Sequence, residues 1–166
     1  MKITKVEIQN YRNLSGLTIH FEENCNFIVG ENNIGKSNLL WLLNSVFTSR
    51  SFNSEDFKDQ SQSIEIGFQL KLDDTEIGNF ENYLSQEDQH LINIIAKQET
   101  IDDNIEFFHK ETNSPILASK IRYINFIHYD SLRNPITEIN FDKGRGVGKF
   151  LKNIITRYLQ DNDWSE

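Results

Sequence analysis

Eight residues near the N-terminus, Gly30-Glu-Asn-Asn-Ile-Gly35-Lys36-Ser37, restrict the possible folds of this chain more than any other feature. They fit G-x-x-x-x-G-K-[ST] at every required position, between a short apolar run, Asn26-Phe-Ile-Val29, and a helical pattern that begins at Lys36. The spacing has a physical reason. A tight loop after a buried strand turns its backbone N–H groups inward, and glycine admits conformations and close approaches that a side chain blocks. The helix that follows directs its positive dipole end and unpaired N–H groups at the same point. Strand, glycine loop and helix together form an anion cradle of an α/β fold, suited to a nucleoside triphosphate such as ATP with Mg2+. There Lys36 is expected to reach the β and γ phosphates and Ser37 to ligate magnesium through its hydroxyl.

The chain has 166 residues, enough for one domain with a sizeable core, so residues 1–166 are expected to form a single domain. Within it, residues 1–47 form the strand, loop and helix core, and residues 48–166 a β and helical remainder. The longest apolar run, Ile121 to Tyr129, is far below the roughly 18 to 20 residues that cross a bilayer, and no signal-peptide core opens the chain. The expected location is the cytoplasm, with no membrane partner. Cys25 is the single cysteine and has no Cys or His neighbours for a zinc site; it is expected to be a small buried side chain. A net charge of −8 argues against a general nucleic-acid surface. The charge is uneven: acids dominate residues 51–112, whereas Lys143, Arg145, Lys149, Lys152 and Arg157 stand without an acid among residues 143–157. That basic cluster reads first as a solvated helix face, and is where any DNA contact of this chain is expected.

Residues 2–9 and 17–21 are β-rich and alternate well enough to pair as antiparallel strands across the polar turn at residues 10–16. Residues 26–29 are expected to be a strand ending at Gly30. From Lys36, Leu39, Leu40, Leu42, Leu43, Val46 and Phe47 give a helix a broad apolar face. Residues 48–63 suggest a polar surface excursion anchored by Phe52 and Phe57. Ile64, Ile66, Phe68, Leu70 and Leu72 occupy every second position, the pattern of a strand with one wet face. Residues 86–97 are expected to be a helix, with Ser85 and Asp88 resembling a capping box at its start. Residues 105–110 and 122–129 are expected to be strands, and residues 147–159 an amphipathic helix. No internal repeat is present.

The run Val6-Glu-Ile-Gln-Asn-Tyr-Arg12-Asn, the strand at residues 17–21 and Gly30-Glu-Asn32-Asn-Ile-Gly-Lys-Ser-Asn38 resemble the N-terminal segment of the ABC-type ATPases of the SMC, RecF and OLD (overcoming-lysogenization-defect) group. The resemblance implies a P-loop NTPase fold, the N-terminal portion of an ABC-type ATPase head with an antiparallel β subdomain. It implies nucleotide contacts from Arg12, Gly30, Asn32, Asn33, Ile34, Gly35, Lys36, Ser37 and Asn38. Arg12 would sit beside the phosphates, and Asn32 would face the γ-phosphate and the opposing subunit of a nucleotide-sandwiched homodimer or higher oligomer. Asn33-Ile34 stands where many relatives carry Gly-Ser or Gly-Ala. Two later stretches, Phe52-Asn-Ser-Glu-Asp-Phe57 and Tyr129-Asp-Ser-Leu-Arg133-Asn-Pro135, look more like OLD-type nucleases than SMC proteins.

Two parts of an ABC-type site are missing. Leu84-Ser-Gln-Glu-Asp88 has no glycines to serve as an L-S-G-G-Q signature, and the apolar run ending at Asp130 continues with Ser131 instead of the glutamate of a Walker B strand. Gly144-Arg-Gly-Val-Gly148-Lys lacks phosphate-loop spacing and is expected to be a flexible entry to the last helix. His20, His90, His109 and His128 show no metal-ligand spacing, and no nucleophile-base set is identifiable. The resemblance favours an ATPase that regulates an OLD-family DNA endonuclease in phage defence or DNA processing. A RecF-like or SMC-like repair or chromosome-maintenance ATPase without nuclease activity is the alternative, and a non-catalytic nucleotide-binding module completed by a partner is the third. Catalytic residues are not assignable, and the chain alone is expected to bind nucleotide with little turnover.

Overall fold

A computed structural model describes residues 1–32, 34–124, 126–128, 151, 154 and 155. The chain divides into two compact units, Met1–Ile124 and Asn125–Glu166. Of the second, Leu151, Ile154 and Ile155 are helical, and the rest of the helix expected at residues 147–159 lies outside the described residues. So do Asp130, the stretch 129–135 and all five residues of the basic cluster.

The first unit is built on one six-stranded antiparallel sheet. Its strands are β1 (Lys2–Gln9), β2 (Thr18–His20), β3 (Ile64–Lys71), β4 (Leu91–Gln98), β5 (Glu106–His109) and β6 (Pro115–Ile116), in the order β2-β1-β3-β4-β5-β6. β1 and β2 pair as the alternation predicts, with Val6 opposite Ile19. The second edge of β1 carries β3, where Val6 faces Phe68 and Ile8 faces Ile66, and β4 continues the ladder with Phe68 opposite Ile94 and Ile66 opposite Ala96. These inward side chains are almost wholly buried, because every second residue of an alternating strand turns to one face.

Helix α1 (Lys36–Thr48) covers that face. Leu39, Leu42, Leu43, Val46 and Phe47 are buried, and the Phe47 ring meets Phe68 edge-on at a centroid distance of 5.3 Å. Leu40 is 40% exposed and lies off the apolar face. The helix stops at Ser49, whose left-handed backbone sends the N–H groups of Ser49 and Arg50 back to Val46 and Ser45. Beyond it, Phe52 and Phe57 are buried as expected of anchors. Gln98, fully buried at the end of β4, accepts from the Phe52 N–H at 2.7 Å and donates to the Phe52 carbonyl at 3.1 Å.

The opposite face of the sheet is polar. Glu7 lies over Gly67 there, paired with Lys110 at 2.7 Å and Lys5 at 2.6 Å. Hydrogen bonds from Lys110 and then Lys5 lower the Glu7 pKa to about 2.

Several expectations are corrected. Residues 86–97 do not form a helix: the run from Leu91 is β4, with Ile92, Ile94, Ala96 and Gln98 inward and Leu91, Asn93, Ile95 and Lys97 outward. Three β-branched isoleucines, Ile92, Ile94 and Ile95, fit a pleat between two strands better than a helix surface. Ser85 therefore starts no helix; its N–H donates to the Leu91 carbonyl at 2.8 Å. The described residues of 122–129 form no strand, since α2 (Ala118–Tyr123) takes the first two and buries Ile121, and residues 126–128 have no regular structure. Residues 26–29 have no ladder partner among the described residues, and Phe27 and Val29 are 86% and 87% exposed. Cys25 is exposed, not buried. No helix among the described residues is long and apolar enough to cross a membrane.

Candidate phosphate-binding site

The turn after β1 shapes one wall of the site. Asn10 adopts a left-handed backbone, which asparagine tolerates, and its side-chain amide donates to the carbonyls of Asp59 and Gln62 while its oxygen accepts from the Asp59 N–H. Tyr11 is buried against Phe52 at a ring separation of 5.4 Å. Burial first, and the neighbouring Asp56 carboxylate second, push its pKa upward. Arg12 follows with φ of +41°, an unusual backbone for a residue with a long side chain.

The phosphate loop closes against this turn. Gly35 is the residue before α1 and has φ of +113°. A Cβ there would lie 2.7 Å from Leu14 Cδ2 and 3.1 Å from Asn13 Nδ2, so the second glycine of the motif is required by both conformation and space. Lys36 opens α1, and its ammonium donates to the carbonyls of Gly30 at 2.6 Å and Glu31 at 2.5 Å. Ser37 is exposed in the first turn of the helix, where no acidic side chain opposes an anion.

An open cleft of about 740 Å³ is lined by Asn13, Asn32, Gly35, Lys36, Ser37 and Asn38. The expected contacts Asn32 and Ile34 are exposed at its loop, and Asn33 lies outside the described residues. Arg12 is held at the rim: Nη1 donates to Asn38 Oδ1 at 2.8 Å, and Nε donates to Asp56 Oδ1 at 2.7 Å. Asn38 in turn donates to Asn13 Oδ1 at 2.8 Å, and Asn13 donates to the Ile34 carbonyl at 3.2 Å.

Arg12 and the loop thus come together across 26 positions of sequence. Asn13 and Asp56 were not among the expected site residues. Asn13 follows Arg12 directly and carried a local signal; Asp56 carried none as a phosphate-site residue, because its role exists only once the chain folds back.

The donor set suits a polyphosphate: a helix terminus, an ammonium, an exposed hydroxyl and a position where no side chain intrudes. Among the described residues no cluster of three or more His, Cys, Asp or Glu side chains is arranged to hold a metal ion.

A family model described as AAA ATPase domain matches residues 1–163. Endonuclease GajA of Bacillus cereus (strain VD045) is 30% identical over 113 residues, 66% of this chain and 18% of GajA. The DNA replication and repair protein RecF of Mannheimia succiniciproducens is 39% identical over 54 residues, 32% of this chain and 15% of RecF. The chain therefore spans less than a fifth of either relative. Among solved structures, one described under ATP-driven dimerization and DNA-stimulated activation of SMC ATPases superposes with a TM-score of 0.57 at 18% identity, covering 97% of this chain and 98% of that one. A RecF structure gives 0.52 at 19% identity, covering 72% of this chain and 29% of that one. Both support the fold, a P-loop α/β head with an antiparallel β subdomain.

Proposed function

From the premise that the chain belongs to the AAA ATPase domain family, we propose that residues 30–38 bind the phosphates of ATP together with Mg2+. The observation that carries this reading is the cleft in which Lys36, Ser37 and the start of α1 converge behind a glycine that admits no side chain. Lys36 exchanges the loop carbonyls for the β and γ phosphates, first-turn N–H groups hold the same oxygens, and Ser37 supplies an oxygen to magnesium. When bound, magnesium neutralises phosphate charge. Arg12 lends its guanidinium from the rim, and Asn32 faces the γ-phosphate and a second head in a homodimer or higher homo-oligomer.

In the complete protein, ATP binding and hydrolysis regulate an OLD-family DNA endonuclease acting in phage defence or DNA processing in the cytoplasm. The similarity to an endonuclease over 113 residues supports this reading. A RecF-like or SMC-like repair ATPase without nuclease activity is the second reading, favoured by the 39% identity to RecF over 54 residues. Plasmid cleavage by the complete protein in the presence of Mg2+ separates the two: a protein that hydrolyses ATP and cuts no DNA belongs to the second.

The isolated chain binds ATP with little or no turnover, since no signature or Walker B sequence is recognisable in it. Titration of residues 1–166 with a fluorescent ATP analogue tests binding, and Lys36→Ala is expected to weaken it about thirtyfold or more, the loss of a charged phosphate contact. Equal affinity in the two proteins, or rapid multiple-turnover phosphate release by this chain, contradicts the proposal.

A further inference from the structure

Asp56 is a carboxylate with 8% of its side chain exposed, placed at the end of a 3-10 turn, Ser54–Asp56, and not otherwise needed for the cleft. Its two oxygens have separate duties. Oδ2 accepts from the Asn53 N–H at 2.7 Å and closes a reciprocal cap on the turn, while Oδ1 accepts from Nε and Nη2 of Arg12, each at 2.7 Å. The turn itself is fixed to the core, because Phe52 before it is held by Gln98 and Phe57 after it bridges to Tyr11.

Arg12 sits on this post in a left-handed backbone that an arginine adopts only where its surroundings enforce it. With two nitrogens committed to Asp56, the remaining arm of the guanidinium points at Asn38 in the first turn of α1. A pair placed only for stability gains little, since the desolvation of two charges offsets most of their attraction. A planar fork oriented by one carboxylate, with its remaining arm on Asn38 beside the phosphate loop, has a further use.

We propose that Asp56 is a positioning residue for nucleotide binding: it fixes the guanidinium of Arg12 at the rim of the phosphate loop and acts on the nucleotide only through it. The inference rests on the reading of residues 30–38 as a polyphosphate site. It also predicts a sign. By charge alone, removing a carboxylate near a phosphate site strengthens anion binding; by positioning, removing it weakens binding.

The test is the affinity of the 166-residue chain for ATP with magnesium in the native protein, Lys36→Ala, Asp56→Asn, Arg12→Gln and the double variant Arg12→Gln/Asp56→Asn. Asp56→Asn is expected to weaken binding about tenfold, the scale of one charge-assisted hydrogen bond lost or misdirected. In the Arg12→Gln background the same change is expected to do no more than about twofold, because distant or unshared effects add whereas a shared route does not. Unchanged or tighter binding in Asp56→Asn overturns the inference, as does a second full loss on top of Arg12→Gln. Should Asp56→Asn fail to fold, Asp56→Glu keeps the charge but moves the carboxylate by one methylene: a folded Asp56→Glu protein is expected to bind ATP several-fold more weakly, and native affinity in it overturns the inference. Absence of any Lys36-dependent ATP binding sinks the reading of the loop and this inference with it; Lys36-dependent binding that ignores Asp56 sinks this inference alone.

Discussion

At Gly35 the sequence requirement and the atomic reason for it coincide. Its φ of +113° and the 2.7 Å that would separate a Cβ from Leu14 leave no L-residue a relaxed fit. Gly35→Ala is expected to destabilise the chain by about 2 kcal/mol and to displace the start of α1, measured as a lower urea midpoint with loss of ATP binding. Glu7 provides a pH signature on the other face of the sheet. Its folded pKa, about 2, lies below the ordinary 4.5, so its contribution is fully present above about pH 4.5 and disappears as pH falls toward 2. Glu7→Gln is therefore expected to be less stable than the native chain at neutral pH, with the two urea-midpoint curves converging through that acid window. Convergence on the alkaline side instead refutes the assignment to this carboxylate. Lys36, Ser37 and Gly35 were legible in sequence because motif spacing is local. Asp56 carries no such local signal, because its contact with Arg12 spans 44 positions, whereas Asn13, beside Arg12, was within reach of the sequence.

Among the elements, β1, β2, α1 and β3 follow their sequence patterns because each has a single period: alternation in the strands, three-and-four spacing in the helix. β4 does not. Its Ile-Asn-Ile-Ile-Ala core puts apolar residues on consecutive positions, which suits a helix face as well as a pleat, and the choice is made by the neighbouring ladders of β3 and β5. Gln98 shows how firmly that ladder is tied to the rest of the unit, since one buried amide satisfies both backbone groups of Phe52. Gln98→Leu leaves a buried N–H and a buried carbonyl without that partner and is expected to cost about 2 to 4 kcal/mol, read from chemical denaturation. A change below about 0.5 kcal/mol, the size typical of surface substitutions, contradicts the tie.

On the scale of the whole molecule, the apolar run before the loop is where sequence and structure part most clearly. Phe27 and Val29 expose most of their surface, and a strand cannot be recognised without the neighbour that completes its ladder. The double variant Phe27→Ser/Val29→Ser is accordingly expected to melt within about 1 °C of the native chain, because side chains this exposed bury little in the described fold. A drop of several degrees would mean that residues 26–29 contribute to the core after all.

The bonds from Lys36 to the carbonyls of Gly30 and Glu31 change how a familiar substitution must be interpreted. This ammonium is a strut, joining both ends of the loop it belongs to, before it is the proposed phosphate ligand. Alanine in its place removes the proposed phosphate donor and also the strut of the empty loop, so its loss of affinity is the sum of a missing contact and a cradle left unbraced before nucleotide arrives. Arginine at the same position keeps a cation while changing the reach and shape of the brace, and the gap between the two variants divides that sum into its parts.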